Sequence, residues 1–130
     1  MKTFGLILVV ISNFLAASAL AGPFQYECTI ERIIKDDGSE SIGLLNMYSE
    51  EKVFIERDSG VILHPYFAKS KDQIEQSAVI HRGDVSSYYK AVAVTVAGLL
   101  IAVTVKEFDT NTKKPLALLE GGKVMTGYCY

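Results

Sequence analysis

From Phe24 onward the chain alternates: Phe24, Tyr26, Cys28 and Ile30 are apolar, and Gln25, Glu27, Thr29 and Glu31 are polar. A period of two sends successive side chains to opposite faces, so the stretch predicts a strand with one buried face and Cys28 on it. Arg32-Ile33-Ile34 breaks the phase as a β-bulge does. Asp36-Asp37-Gly38-Ser39 then supplies the short polar side chains and the glycine of a turn. Residues 42–47 and 53–57 predict strands, and Asp58-Ser59-Gly60 turns the second back into residues 61–63 as a hairpin. Residues 64–71, with Pro65 and no period, predict a loop. Residues 69–76 predict a helical turn or two, residues 77–81 a short strand, and Arg82-Gly83-Asp84 a turn.

Residues 91–105, AVAVTVAGLLIAVTV, form a run of fifteen without a charge. A membrane-spanning helix needs about 20 apolar residues, and more than half of this run is Val, Ile or Thr, whose branched side chains favour a strand. Glycine suits the first central position of a type II′ turn. Folding at Gly98-Leu99 pairs Val96 with Ile101, Val94 with Val103 and Val92 with Val105. It sets Thr95 against Ala102 and Ala93 against Thr104. The expectation is a hairpin whose Val/Ile face is core. Its small face, Ala91, Ala93, Thr95, Ala102 and Thr104, is either packed closely by another element or lines a narrow apolar cavity or association surface.

Asp109-Thr110-Asn111-Thr112 is turn-like. Residues 115–119 predict a strand with Pro115 tolerated at its start, Gly121-Gly122 a turn, and residues 123–130 a last strand. The sum is all-β: a small antiparallel barrel or barrel-like sandwich of about eight short strands.

The N-terminus changes how much of the chain belongs to that fold. Lys2 precedes a mostly apolar stretch, residues 4–17, and Ala19-Leu20-Ala21 offers the small-x-small pattern of signal-peptide cleavage. The expected division is a signal peptide over 1–21 and a single β domain over 22–130. That domain is periplasmic or secreted and keeps no membrane span. One of the 13 basic residues and none of the 15 acidic ones lie in 1–21, which leaves 12 against 15, a formal charge of −3. Mild acidity with no basic run longer than Lys113-Lys114 argues against nucleic-acid binding. The two cysteines, Cys28 and Cys129, stand at opposite ends of the domain. In an oxidising compartment they read as one disulfide tying the ends and closing the meander; free buried thiols and an intermolecular bridge are the alternatives.

No chemical constellation emerges. His64 and His81 lack metal-ligand spacing and read as surface or turn residues; an enzyme needs them to converge in a cleft with an acid. Ser59 has no nucleophile elbow. Asp36-Asp37 and Glu50-Glu51 are sequence neighbours whose side chains diverge on a strand. Arg82-Gly83-Asp84 spells an integrin-read tripeptide, but at a place where a turn is expected anyway. No cofactor and no catalytic residue is assigned. Among seven tyrosines, Tyr88-Tyr89 and Tyr128-Cys129-Tyr130 point neighbours to opposite faces, so one of each pair is expected at the surface; Tyr88, Tyr89, Tyr128 and Tyr130 are the candidates for a partner surface.

Three short stretches resemble small exported bacterial β-rich proteins. They are Tyr26-x-Cys28, the segment Phe54-Ile55-Glu56-Arg57-Asp58-Ser59-Gly60, and the ending with Lys114-Pro115 and Val124-x-Thr126-Gly127-x-Cys129. The resemblance implies a periplasmic or secreted domain and no activity. The architecture also looks like the small β-barrel lysozyme inhibitors, but their Ser-Gly-x-x-Tyr loop is missing: Val61-Ile62-Leu63 follows Ser59-Gly60, and Tyr66 comes too late. The leading expectation is a non-catalytic exported β domain that binds a protein partner. A carrier of a small apolar ligand is the alternative, and inhibition of a cell-wall hydrolase follows from fold analogy alone.

Overall fold

The computed structural model describes residues 25–108 and 113–130. The expected signal peptide and the turn at 109–112 lie outside them. Among the described residues, eight antiparallel strands form one sheet curled into a half-barrel, with a single α-helix beside it. The strands are β1 (Gln25–Ile34), β2 (Val53–Glu56), β3 (Ile62–Leu63), β4 (Ile74–Asp84), β5 (Ser87–Thr95), β6 (Leu100–Val105), β7 (Lys114–Glu120) and β8 (Lys123–Cys129).

The alternation in β1 does what its period demands. Tyr26, Cys28 and Ile30 are buried; then the phase slips and Ile33 is the next buried residue. The slip is a bulge between Ile30 and Arg32 in the ladder with β8. Cys28 stands directly opposite Cys129 in that ladder, and the two are bonded.

The strand order is β3-β2-β1-β8-β7-β6-β5-β4. The first and last strands are therefore neighbours in the middle of the sheet, and the edges fall at mid-chain, on β3 and β4. Joining the termini does not abolish the edges as the sequence reading expected; it moves them. The tip of the β2–β3 hairpin leans across that opening. Ser77 Oγ donates to the Ser59 carbonyl at 2.9 Å and Tyr89 Oη to the Arg57 carbonyl at 3.0 Å. Ion pairs Lys71–Glu56 at 2.6 Å and Arg82–Asp58 at 2.7 Å add to the same seam.

Four expectations need correction. Residues 42–47 are not a strand: α1 spans Ile42–Tyr48, with the Ser41 side chain accepting from the Leu44 amide at 3.2 Å as an N-cap. Leu44, Leu45 and Tyr48 turn toward the core while Ile42 and Met47 stay exposed, a helical spacing that a short apolar run does not announce. Next, the helical segment at 69–76 shrinks to one 3-10 turn, Lys71–Gln73, because Ile74 already pairs with Thr95. The turn expected at Arg82-Gly83-Asp84 also moves: those residues continue β4, and Val85-Ser86 make the bend between paired Asp84 and Ser87. Asp84 caps that bend by accepting from the Ser86 amide at 2.8 Å and the Ser87 hydroxyl at 2.9 Å.

The fourth correction concerns the 91–105 hairpin. It exists, but Thr95 N–H bonds the Leu99 carbonyl at 2.9 Å and Gly98 N–H the Thr95 carbonyl at 2.8 Å, enclosing a three-residue loop, Val96-Ala97-Gly98. Gly98 takes φ 85°, the geometry of a type I turn followed by a left-handed residue. Val94 thus pairs with Leu100 rather than Val103, and Val92 with Ala102. An odd shift exchanges the faces of one strand relative to the other. Ala91, Ala93 and Thr95 join Ile101, Val103 and Val105 inside, and Val92 and Val94 lie half-buried outside. Large now faces small within the core: Ala91 opposite Val103, Ala93 opposite Ile101. The single small face that motivated a narrow apolar cavity does not form.

Candidate functional site

One end of the half-barrel, where β1 and β5 begin and β6 and β8 finish, brings aromatic and charged side chains together on both faces of the sheet. Sequence neighbours split there between interior and outer wall. Tyr89 points in and Tyr88 out, Glu107 in and Phe108 out, Cys129 in and Tyr128 out, while Lys114 reaches Glu107 and Lys113 lies over Tyr128. Strand alternation causes the split within β5 and β8, whereas Glu107, Phe108 and Lys113 stand just beyond the ends of β6 and β7.

Inside, the Tyr26 hydroxyl donates to Glu107, whose other oxygen takes the Lys114 ammonium at 3.0 Å. Lys114 also donates to the Glu107 carbonyl at 2.9 Å. Burial alone would raise the Glu107 pKa, but the Tyr26 hydroxyl and Lys114 outweigh it and hold the carboxyl below its ordinary value. Burial first, then the bond to Glu107, pushes the Tyr26 phenol far above its usual range. The Tyr26 and Tyr89 rings meet edge to face at 5.3 Å, and burial lifts Tyr89 to about 12 despite the opposing charge of Arg57. The Arg57 guanidinium lies over both rings, 5.1 Å from the Tyr26 centroid and 6.0 Å from that of Tyr89.

Outside, Tyr128 stands opposite Pro115, whose carbonyl accepts from the Lys106 backbone amide at 2.9 Å, and the β5–β6 register continues the row to Tyr88. The Tyr88 and Phe108 rings meet edge to face at 4.9 Å. The Lys106 and Lys113 ammoniums sit over Phe108 and Tyr128, each at 5.1 Å from the ring centroid. The outward positions of β5 to β8 include Lys90 but no Asp or Glu. Lys90, Lys106 and Lys113 form no ion pair among the described residues. Although the domain is acidic, this wall is cationic and aromatic.

The four candidate tyrosines do not share one surface. Tyr88 and Tyr130 are exposed and Tyr128 half-buried, but Tyr89 is completely enclosed. An inward position opposite Val105 makes it core, and its hydroxyl is spent on the β2–β3 tip. His64 is not a surface residue either. It is buried, stacked between Tyr48 at 5.0 Å and Phe67 at 5.3 Å, with Nε2 2.9 Å from the Tyr48 carbonyl and Nδ1 accepting from the Tyr66 amide at 3.2 Å. His81 lies exposed on β4, bonded to the Tyr88 carbonyl at 2.9 Å. The two histidines have no partner in common. Ser59 belongs to the β2–β3 turn, where its hydroxyl accepts from the Val61 amide at 3.2 Å. Asp37 caps its own turn through Ser39, whose hydroxyl and amide pull its carboxyl below the ordinary value. Glu50 and Glu51 follow α1 at the surface. Among the described residues no group of three or more His, Cys, Asp or Glu could hold a metal.

No role is assigned from sequence to Arg57, Lys106, Glu107, Phe108 or Lys114. Tyr26 and Glu107 lie 81 positions apart, and only the strand order brings them together. The available signal was local: the pairs Glu107-Phe108 and Lys113-Lys114 flank the polar stretch 109–112 just beyond two apolar runs. No family model, curated protein or solved structure matches the chain.

Proposed function

We propose that the chain is a non-catalytic, exported binding domain that holds a protein partner on the outer wall formed by Tyr88, Lys106, Phe108, Pro115, Lys113 and Tyr128. The observation carrying this reading is the composition of that row: the exposed Tyr88 ring, two half-buried rings with ammonium groups over them, and no carboxylate within it. Tyrosine offers a large, stiff contact area with a polar tip, and such residues dominate binding energy where they cluster. Preformed cation–π contacts also hold the lysines extended along the rings, lowering the entropy lost on docking.

The disulfide is compatible with an extracellular or periplasmic protein, as is the absence, among the described residues, of a helix long and apolar enough to cross a membrane. Export through the 1–21 segment belongs to the proposal. An intact mass beginning at Gly22 supports it, and a full-length chain with reduced thiols rejects it.

The test of the binding face is site-specific photo-cross-linking in the producing cell. A benzophenone side chain at position 88 or 128 is expected to give discrete protein adducts. One at Ile42, exposed on α1, is expected to give none. Equal adducts at all three positions, or adducts that survive the double substitution Y88A/Y128A when the probe sits at Lys106, reject the reading.

A further inference from the structure

Around the Tyr26 and Tyr89 rings, Arg57, Arg82 and Lys114 stand near two carboxylates, Asp58 and Glu107, and the pairing leaves Arg57 over. Arg82 is matched with Asp58 at 2.7 Å and Lys114 with Glu107 at 3.0 Å. Arg57 has neither an ion pair nor a side-chain hydrogen bond among the described residues. It is nevertheless held. Its carbonyl accepts from Tyr89 Oη at 3.0 Å, and its guanidinium lies over the Tyr26 and Tyr89 rings. Those rings are fixed in turn by their edge-to-face contact and by the bond from Tyr26 to Glu107.

A guanidinium carries five N–H donors in a rigid plane that matches a two-oxygen acceptor. Ring faces satisfy its charge in part but accept none of those in-plane donors well. Half-burial of Arg57 strengthens any charge-assisted bond it makes relative to one in open water. With Asp58 and Glu107 paired off, the charge left over is one: a monoanion is balanced by Arg57 alone, whereas a dianion such as phosphate keeps an uncompensated charge.

We infer that Arg57, framed by Tyr26 and Tyr89, is a carboxylate-binding site. As the receptor for a partner's acidic side chain or chain end it rests on the proposed function; as a site for a free carboxylate it stands by itself. The ligand chemistry of the site is thus a planar monoanion.

Titration of the folded, oxidised protein with sodium acetate, followed at the Arg57 Nε–Hε resonance, tests the site. Sodium chloride at the same ionic strength is the reference. A saturable shift at Arg57, absent in chloride and not shared by Arg82, is expected, with affinity in the millimolar range that a single bidentate contact gives. R57K, which keeps the charge and loses the fork, is expected to weaken acetate about tenfold. Two short peptides distinguish the source: one with an internal glutamate and capped ends, the other with glutamine in its place and a free C-terminus.

No saturable shift at Arg57, or equal acetate binding by R57K and R57Q, overturns the site whatever the cross-linking finds. An acetate shift at Arg57 without any adduct at positions 88 and 128 supports the site as a small-carboxylate receptor and removes the protein-partner reading.

Discussion

Tyr26, Tyr48 and Tyr89 keep their hydroxyls within the fold, and burial raises each above the ordinary tyrosine value of 10.0. A group whose pKa rises on folding contributes stability that is complete below its unfolded value and is lost as pH climbs above it. Stability is therefore expected to hold up to about pH 10 and then to fall by as much as ~1.4 kcal/mol per pH unit for each tyrosine. Urea midpoints measured from neutral to alkaline pH, with tyrosinate absorbance followed in parallel, check this. A midpoint that stays level while all seven tyrosines ionise would show that the hydroxyls titrate in place. Glu107 has the opposite sign. Its pKa is lowered from 4.5, so its contribution is present above that value and disappears as pH falls through the folded one. Tyr26→Phe removes the donor that helps lower it. The variant is expected to lose about 1 to 2 kcal/mol at neutral pH and to show a shallower further loss in acid. Equal acid slopes for variant and parent would exclude the Tyr26–Glu107 bond as their cause.

Within single elements, local chemistry was legible where one strand's alternation sufficed and failed where pairing decided. The phase slip after Ile30 announced the bulge, and Gly121-Gly122 marked the turn between paired Glu120 and Lys123. The 91–105 hairpin was visible as two apolar halves about a glycine. Its register was not, because a two-residue loop at Gly98-Leu99 and a three-residue loop ending at Gly98 both place glycine where positive φ is needed. The same limit hid the difference between two glycines. Gly98 has open space around a would-be Cβ, so Gly98→Ala suffers only the left-handed backbone, a cost of roughly 1 to 2 kcal/mol. A methyl group at Gly127 would overlap the Thr29 carbonyl across the β1–β8 ladder. Gly127→Ala must therefore part the two central strands, with an expected loss above ~4 kcal/mol or failure to fold. Thermal unfolding of the two variants side by side decides the point. Similar losses would mean that β8 can shift away from β1 at little cost.

At the scale of the whole molecule, the two cysteines told where the chain's ends meet but not what that meeting does to the sheet. β4 to β8 form a consecutive meander and β1 to β3 a second unit, and the β1–β8 ladder joins them. The Cys28–Cys129 bond crosses this ladder, so it staples two units rather than sealing a rim. The candidate site was illegible for the same reason. Arg57 belongs to the first unit and Tyr89, Glu107 and Lys114 to the second, and no local pattern links them. Cross-linking residues about 100 apart removes on the order of 4 to 5 kcal/mol of unfolded-state freedom in the chain-entropy model. Reduction should not spend that loss evenly. β1 to β3 then depend on one ladder, the Tyr26–Glu107 bond and the β2–β3 tip contacts, whereas β5, β6 and β7 each keep a partner strand on both sides within their own meander. Amide exchange on the reduced protein is expected to accelerate first in β1, β2 and α1, with β6 and β7 retaining the slowest exchange. The Arg57 site, built across the same junction, should weaken in step with β2. Uniform acceleration across all eight strands would instead mean that the half-barrel unfolds as one cooperative unit and that the disulfide acts on the unfolded chain alone.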